Sequence, residues 1–236
     1  MRETFDSLKK QTYKEFKVYV CVDGKDECVE SILREYSEYL NIDMTINRQN
    51  IGLTSSLNIL LEKSVEPLVA RLDVEDVCHP SRFSMQIEEF KNNSSLVLCG
   101  SHFHSRSSDK IELITLPCDD FTIRSEIRKN NPFLHSAAMF KRLAGVDYDQ
   151  KLKYTQDYDL WIRLTKHGAV ANINHPLVTR SETNGISQKH EAMQLMYKVR
   201  VKLKHFKYLI SFSLLLYLLK DIVKISFTIF KRLQKK

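Results

Sequence analysis

The chain of 236 residues is 43% hydrophobic and 28% charged, a size and balance typical of one globular domain with a tail or of two small domains. Six Gly, five Pro and five scattered Cys without a CxxC pair argue against a long disordered linker, a disulfide scaffold and a zinc-cysteine site. The net charge of +7 divides into +10 for residues 198–236 and −3 for residues 1–197, so the body lacks the basic face of a nucleic-acid-binding protein and no nucleic acid partner is expected.

Strands alternate with helices along the first part of the chain. The apolar periodicity predicts the end of an amphipathic helix over 2–12, a strand over 16–22, a helix over 27–40, a strand over 42–46, a helix over 54–63 and a strand over 68–72. This alternation predicts an α/β domain with a mainly parallel sheet flanked by helices.

Acidic residues follow two of these strands. Asp23 ends the first strand, and Asp73, Glu75 and Asp76 end the strand over 68–72. In mainly parallel sheets, ligands bind beyond the carboxyl ends of the strands. We therefore expect a cation and a phosphorylated ligand to bind at this edge.

The second part of the chain continues with less regular spacing. The pattern predicts a helix over 81–91, a strand over 96–100, a polar excursion with a hairpin over 101–118, a helix over 120–129, a strand over 136–140, a helix over 158–166 and a strand over 169–173. The helix over 158–166 contains the only tryptophan, Trp161, and Asp159 and Arg163 have the spacing of a pair on a helix surface.

Four short segments share the order and spacing of a known set of signatures. They are SLKKQTY at 7–13, NIGL at 50–53 followed by Leu57-Asn58, ARLDVED at 70–76 followed by Pro80 and Arg82, and QDYDLWIRL at 156–164. Together they resemble the inverting family 2 glycosyltransferases, which have the Rossmann-like GT-A fold. The resemblance runs from about residue 2 to about residue 190.

The resemblance implies a reaction and a division of the chain. A sugar would move, with inversion, from a nucleoside diphosphate sugar, most simply of the UDP type, to a hydroxyl of a glycan or lipid-linked acceptor in surface polysaccharide or lipid-linked glycan synthesis. A divalent cation, Mg²⁺ or Mn²⁺, would neutralise the leaving diphosphate. The nucleotide-sugar half would span about 1–100, the acceptor half about 101–190, and a basic helical tail 191–236.

On the donor side, the resemblance implies that Asp73, Glu75 and Asp76 bind the metal and that Asp23, Arg71 and Asp73 bind the donor. The alternatives are a solvated acidic loop or helix cap, an Arg71 that merely pairs with its neighbouring acids, and a turn role for Asp23. Glu75 departs from the family, which usually has Asp at this position.

On the acceptor side, the resemblance implies that Asp157 is the general base and that His135 and Gln156 line the acceptor pocket. Asp157 could instead cap the helix of Trp161, and His135 could be purely structural. Gln156 replaces the usual Glu, and Glu182 stands where the family often has a His.

The resemblance begins at a helix, whereas the family opens with a hydrophobic strand. We therefore expect the sheet to lack its first strand, and the alternative function is an inactive, truncated remnant that keeps only the fold and a membrane contact.

The tail combines positive charge with apolar residues. Residues 208–219 form a twelve-residue uncharged stretch, and Lys220, Asp221 and Lys224 then interrupt it. Because a spanning helix needs about 20 mostly apolar residues, the pattern favours an interfacial helix on an anionic membrane. The alternatives are a helix packed on the domain and a true span. Together with a polar N-terminus, this predicts a cytoplasmic protein that is peripheral on the inner face of the cell membrane.

Overall fold

The structure is a computed structural model, and it describes residues 1–182, 191–209, 217 and 219–226. Its first half alternates helices and short strands as the sequence predicts. The elements are α1 Arg2–Lys9, β1 Val18–Asp23, α2 Glu27–Tyr36, β2 Ile42–Asn47, α3 Leu53–Lys63, β3 Leu68–Ala70, β4 Val77–Cys78 and α4 Arg82–Asn92. The two-residue strand β4 is absent from the sequence prediction because its pairing comes from β8, about a hundred residues further along the chain.

The second half contains the longest strands. Its elements are β5 Leu96–Arg106, β6 Ile111–Ile114, α5 Asp120–Glu126, a 3₁₀ turn His135–Ala137, β7 Met139–Lys141, α6 Gln156–Leu164, β8 Ala169–Ser181, α7 Glu191–Lys204 and α8 Phe206–Leu209. Residues 219–226 are also helical. The hairpin predicted within 101–118 is formed by β5 and β6, which pair antiparallel.

The strands form two sheets. Strands β1 and β2 pair in parallel, and a six-stranded sheet has the order β3-β7-β5-β8-β4, with β6 paired to β5. The long β5–β8 ladder is parallel, whereas the β3–β7, β4–β8, β5–β6 and β5–β7 pairings are antiparallel. The α/β prediction is confirmed, and the six-stranded sheet is mixed rather than mainly parallel: its longest ladder, β5–β8, is parallel, whereas the other pairings named above are antiparallel.

Strand β8 runs further than the sequence predicts. The segment Asn174-His175-Pro176 reads as the end of a strand, yet β8 continues to Ser181. Residue Ser101 pairs with Ile173 and His102 with Pro176, so Asn174 and His175 form a bulge in the ladder. Continued pairing with β5 therefore overrides the local proline signal.

Helices cover both faces of the sheet. One core lies against α3, α5 and α6 and is centred on Trp161, which is fully buried. The other lies against α1, α2 and α4 and includes the side chains of Phe5 and Leu33. Val201 of α7 is fully buried in the first core, so the first helix of the predicted tail packs against the body of the protein.

Candidate active site

Asp23 lies at the end of β1 and organises the loop that follows β2. Its carboxylate accepts hydrogen bonds from the amides of Ile51 (2.9 Å) and Gly52 (2.8 Å) and from the side chain of Asn47 (2.9 Å). Burial acts to raise the pKa of Asp23, but these hydrogen bonds outweigh it and the pKa lies below its usual range. Asp23 thus stays ionised and fixes the NIGL segment.

Arg71 and Asp73 form a pair just beyond β3. The Arg71 guanidinium binds the Asp73 carboxylate and the carbonyl of Leu72. Ser136 donates to the second Asp73 oxygen (3.1 Å) and accepts from the Asp73 amide (2.7 Å). Burial acts to raise the pKa of Asp73, whereas Arg71 and Ser136 lower it, and the net pKa is lowered.

The acidic loop after Asp73 has a strained backbone. Glu75 has a φ of +82°, which L-residues rarely adopt and which costs about 1–3 kcal/mol. Contacts from two distant elements hold it there: the Glu75 amide donates to the Thr4 hydroxyl of α1 (2.9 Å), and the Ser181 hydroxyl of β8 donates to the Glu75 carbonyl (3.0 Å). The side chain of Glu75 is exposed.

The three acids offer the carboxylate oxygens that a hard divalent cation prefers. Asp76 is 4% exposed, and its carboxylate accepts from the neutral amide of Ser181 (3.0 Å). Burial raises the pKa of Asp76 above its usual range. The arrangement is open, however: among the described residues, no three His, Cys, Asp or Glu side chains converge into a group that could hold a metal ion.

Asp157 lies in the first turn of α6. Its carboxylate accepts a hydrogen bond of 2.7 Å from the Asn131 side chain and does not cap the helix, since Thr155 is the cap position. Thr155 has a φ of +57°. In the described part of the chain, Glu75 and Thr155 are the two non-glycine residues with positive φ, and they lie two residues after Asp73 and two residues before Asp157. Backbone strain is thus concentrated beside the predicted site residues.

His135 begins the 3₁₀ turn next to Ser136 and packs against aromatic side chains. Its Nε2 atom hydrogen-bonds the Tyr148 hydroxyl at 2.9 Å, and its ring packs edge-on against Trp161 with a centroid distance of 6.0 Å. Burial lowers the pKa of His135, and the positive charge of Arg71 lowers it further. The imidazole is therefore neutral near pH 7.

One short segment links the loop after β3, which carries Asp73, to the start of α6, which carries Asp157. Asn131 donates to Asp157 and Ser136 donates to Asp73, although these acids are far apart in sequence. His135 lies between the two donors in sequence. The structure thus joins Asp73, Asp157 and His135 through residues 131–136. Sequence reasoning missed Asn131 and Ser136 as site residues, and the only local signal is the Asn131-Pro132 turn.

Two further predicted positions lie at the borders of this region. Gln156, at the start of α6, is buried next to Asp157 in sequence. The Glu182 carboxylate accepts from Ser105 and from Arg180 (3.1 Å). The Ser105 hydrogen bond is the largest influence that lowers the pKa of Glu182. Its carboxylate is thus committed to local partners.

Comparison with known proteins identifies a family. The model of glycosyl transferase family 2 matches residues 1–146, more than half of the chain. The chain is 28% identical over 181 residues to the amylovoran biosynthesis glycosyltransferase AmsE of Erwinia amylovora, covering 73% of this chain and 67% of that protein. It is 28% identical over 189 residues to UDP-Gal:alpha-D-GlcNAc-diphosphoundecaprenol beta-1,3-galactosyltransferase of Escherichia coli, covering 75% of this chain and 67% of that protein.

The fold is also that of solved glycosyltransferases of the GT-A type. The mannosyltransferase PcManGT of Pyrobaculum calidifontis, solved with GDP-Man and Mn²⁺, superposes with a TM-score of 0.66 at 14% identity, covering 87% of this chain. This chain spans 60% of that protein's length.

Proposed function

Because the chain belongs to glycosyl transferase family 2, we propose that it transfers a sugar from a nucleoside diphosphate sugar, with inversion, to a hydroxyl of a glycan or lipid-linked acceptor. The name of the E. coli relative specifies a UDP-linked donor and a diphosphoundecaprenol-linked acceptor, and the Erwinia relative acts in amylovoran biosynthesis. These names favour a UDP-type donor and a role in surface polysaccharide or lipid-linked glycan synthesis.

The observation that carries this proposal is the link between Asp73 and Asp157 through residues 131–136. A transferase needs one group that manages the leaving diphosphate and another that takes the acceptor proton, held in a fixed relation. Ser136 on Asp73 and Asn131 on Asp157 supply that relation.

On the donor side, Arg71 and Asp73 would contact the nucleotide, and Asp23 would support the neighbouring loop. Asp73, Glu75 and Asp76 would hold Mg²⁺ or Mn²⁺, which when bound supplies positive charge against the departing diphosphate. Arg71 can add a second positive charge there, because its guanidinium already lies against Asp73.

On the acceptor side, Asp157 would accept the proton of the attacking hydroxyl. The hydrogen bond from Asn131 fixes one carboxylate oxygen, and the Asp157 side chain stays half-exposed, so its other oxygen can face an acceptor hydroxyl. Neutral His135 and buried Gln156 would orient the acceptor, since both can donate or accept hydrogen bonds without adding charge.

Release of the free nucleoside diphosphate tests the proposal. The purified chain is incubated with UDP-Glc, UDP-Gal, UDP-GlcNAc or GDP-Man, with Mn²⁺ or with EDTA, and with lipid-diphosphate-linked GlcNAc as acceptor. We expect release from one donor that depends on Mn²⁺ and is stimulated by acceptor. The absence of release with every donor, from protein that binds UDP, contradicts the proposed activity.

A second candidate function is a non-catalytic member that retains the fold. It is favoured by the lack of a three-ligand metal group among the described residues. In that case UDP binding measured by calorimetry would be unaffected by Mn²⁺ and no donor would be cleaved.

We also propose that the C-terminal region binds an anionic membrane surface. No helix in the described part of the chain has the length and apolarity needed to cross a membrane, and most of the apolar stretch 208–219 lies outside that part. Within helix 219–226, Asp221 turns inward to pair with Lys202 at 2.6 Å. Apart from Ser226, the exposed side chains there are apolar or basic: Leu219, Lys220, Ile222, Val223 and Lys224.

Flotation with vesicles tests this surface. We expect binding to vesicles that contain phosphatidylserine and little binding to pure phosphatidylcholine, with release by high salt or alkaline carbonate because the contact is electrostatic and interfacial. The substitution Ile222→Glu should weaken binding, and Phe121→Glu, at an exposed position on α5, is the matched control. Retention in carbonate like that of an integral protein would instead indicate a span.

A further inference from the structure

The carboxylate of Asp159 is buried among three nitrogen donors, those of Arg163, Lys204 and His205. Its side chain is 0% exposed, although its spacing with Arg163 predicts a pair on the helix surface. One oxygen accepts from Arg163 Nε at 2.9 Å, and the other accepts from Lys204 Nζ at 2.7 Å and from His205 Nε2 at 2.8 Å. Two of the three partners therefore come from the last residue of α7 and the residue after it, outside the segment that resembles the family.

Lys204 has a second partner on the acceptor side. Its ammonium group also binds the carboxylate of Asp149 at 2.8 Å. Arg163, which shares Asp159 with Lys204, donates to the carbonyl of Asp147 at 2.5 Å. The loop 147–149 is thus bound from both sides, and its central residue Tyr148 is the hydrogen-bond partner of His135.

The end of α7 is itself fixed in place. Val201 is fully buried in the core around Trp161, and the His205 amide donates to the Val201 carbonyl at 3.0 Å. The His205 side chain is 6% exposed. These contacts anchor the junction between α7 and α8 on the body of the protein, with the Lys204 side chain, 39% exposed, at the edge of the buried part.

We propose that Lys204 and His205 are positioning residues for the acceptor side of the site. Through Asp159 they hold the first turn of α6, which carries Asp157 two residues earlier. Through Asp149, Lys204 holds the loop that places Tyr148 against His135. The proposal rests on the proposed function for its catalytic consequence, whereas its structural part concerns the contacts alone.

The chemistry favours positioning over simple stabilisation. A buried ion pair contributes little net stability, because the cost of desolvating the charges offsets their attraction, but its directional hydrogen bonds define one arrangement. The orientation of a general base matters steeply, since a displacement of 1 Å can cost about 100-fold in rate. A support two residues from Asp157 therefore affects turnover more than donor binding.

The test compares four variants of the full chain. Lys204→Met keeps the length and removes the charge, His205→Ala removes the imidazole, Lys204→Arg retains the charge, and Lys207→Met changes an exposed lysine of the same segment as a control. The readouts are UDP release from UDP-GlcNAc or whichever donor the wild type cleaves, UDP affinity by calorimetry, and amide hydrogen exchange of residues 147–149 and 157–160.

We expect Lys204→Met and His205→Ala to lower turnover about 10–100-fold with UDP affinity unchanged within about twofold, and to speed exchange in both segments. Lys204→Arg should restore much of the turnover, and Lys207→Met should behave like the wild type. Exchange in Lys204→Met and His205→Ala equal to that of Lys207→Met, or faster exchange with unchanged turnover, overturns the proposal.

If the wild type cleaves no donor, the proposed function fails and hydrogen exchange alone decides the structural part. If Lys204→Met does not fold, which thermal unfolding reports, the comparison of His205→Ala with Lys207→Met still tests whether this junction holds the two segments.

Discussion

Substitution of Asp157 by Asn separates its proposed role as a base from a structural role. Asp157 is half-exposed, and Asn131 donates to one of its oxygens at 2.7 Å. An amide of the same shape can present its oxygen to Asn131 and keep this hydrogen bond. It cannot take a proton from an acceptor hydroxyl.

The expected magnitudes follow from that difference. Loss of a general base lowers turnover about 10²–10⁴-fold, which corresponds to about 3–5 kcal/mol in the activation barrier. Folding stability should fall by less than about 1 kcal/mol, the usual value of an acid in the first turn of a helix. Affinity for the donor should change little, since the proposed donor-binding residues Arg71 and Asp73 lie in the loop after β3 and not on α6.

The assay is acceptor-dependent UDP release with Mn²⁺, accompanied by calorimetric UDP binding and urea unfolding. The matched control is Asp109→Asn, which removes the charge of an exposed loop carboxylate. Near-normal turnover of Asp157→Asn, or a stability loss large enough to explain its activity loss, would refute the reasoning.

Three further predictions follow from the same contacts. Asp76→Ala should abolish the Mn²⁺ dependence of nucleotide binding, and unchanged affinity by calorimetry would contradict metal binding there. Trp161→Ala should lower the free energy of unfolding by about 3–5 kcal/mol in urea titrations, because this side chain is fully buried among aromatic rings. Burial acts to raise the pKa of Asp159, but hydrogen bonds from His205 and Lys204 outweigh burial, so the net pKa is lowered. The stability that the Asp159 carboxylate contributes to the fold is therefore present above the unfolded pKa of about 3.9 and is lost as pH falls further. Asp159→Asn should therefore flatten the loss of stability below about pH 4, and an unchanged acid profile would count against this network.

The sequence by itself determines the fold class and the positions of the acidic signatures around Asp73 and Asp157. Alternating apolar strands and helices reflect a local periodicity, and each predicted signature is a run of neighbouring residues that share one strand end or one helix start. For this reason Asp23, Asp73, Asp76 and Asp157 could be named before the structure, which places Asp23 at the end of β1, Asp73 and Asp76 in the loop between β3 and β4, and Asp157 in the first turn of α6.

Only the tertiary structure decides how these positions are held. Ser136 reaches Asp73 and Asn131 reaches Asp157 across a turn whose sequence has no periodic pattern. The Asp159 side chain shows most clearly what the sequence cannot predict. The spacing of Asp159 and Arg163 indicates an exposed pair, yet packing of α7 buries the Asp159 carboxylate against Lys204 and His205. Such partners are separated by many residues and leave no local signal, because their contact arises from the burial of whole helices against one sheet.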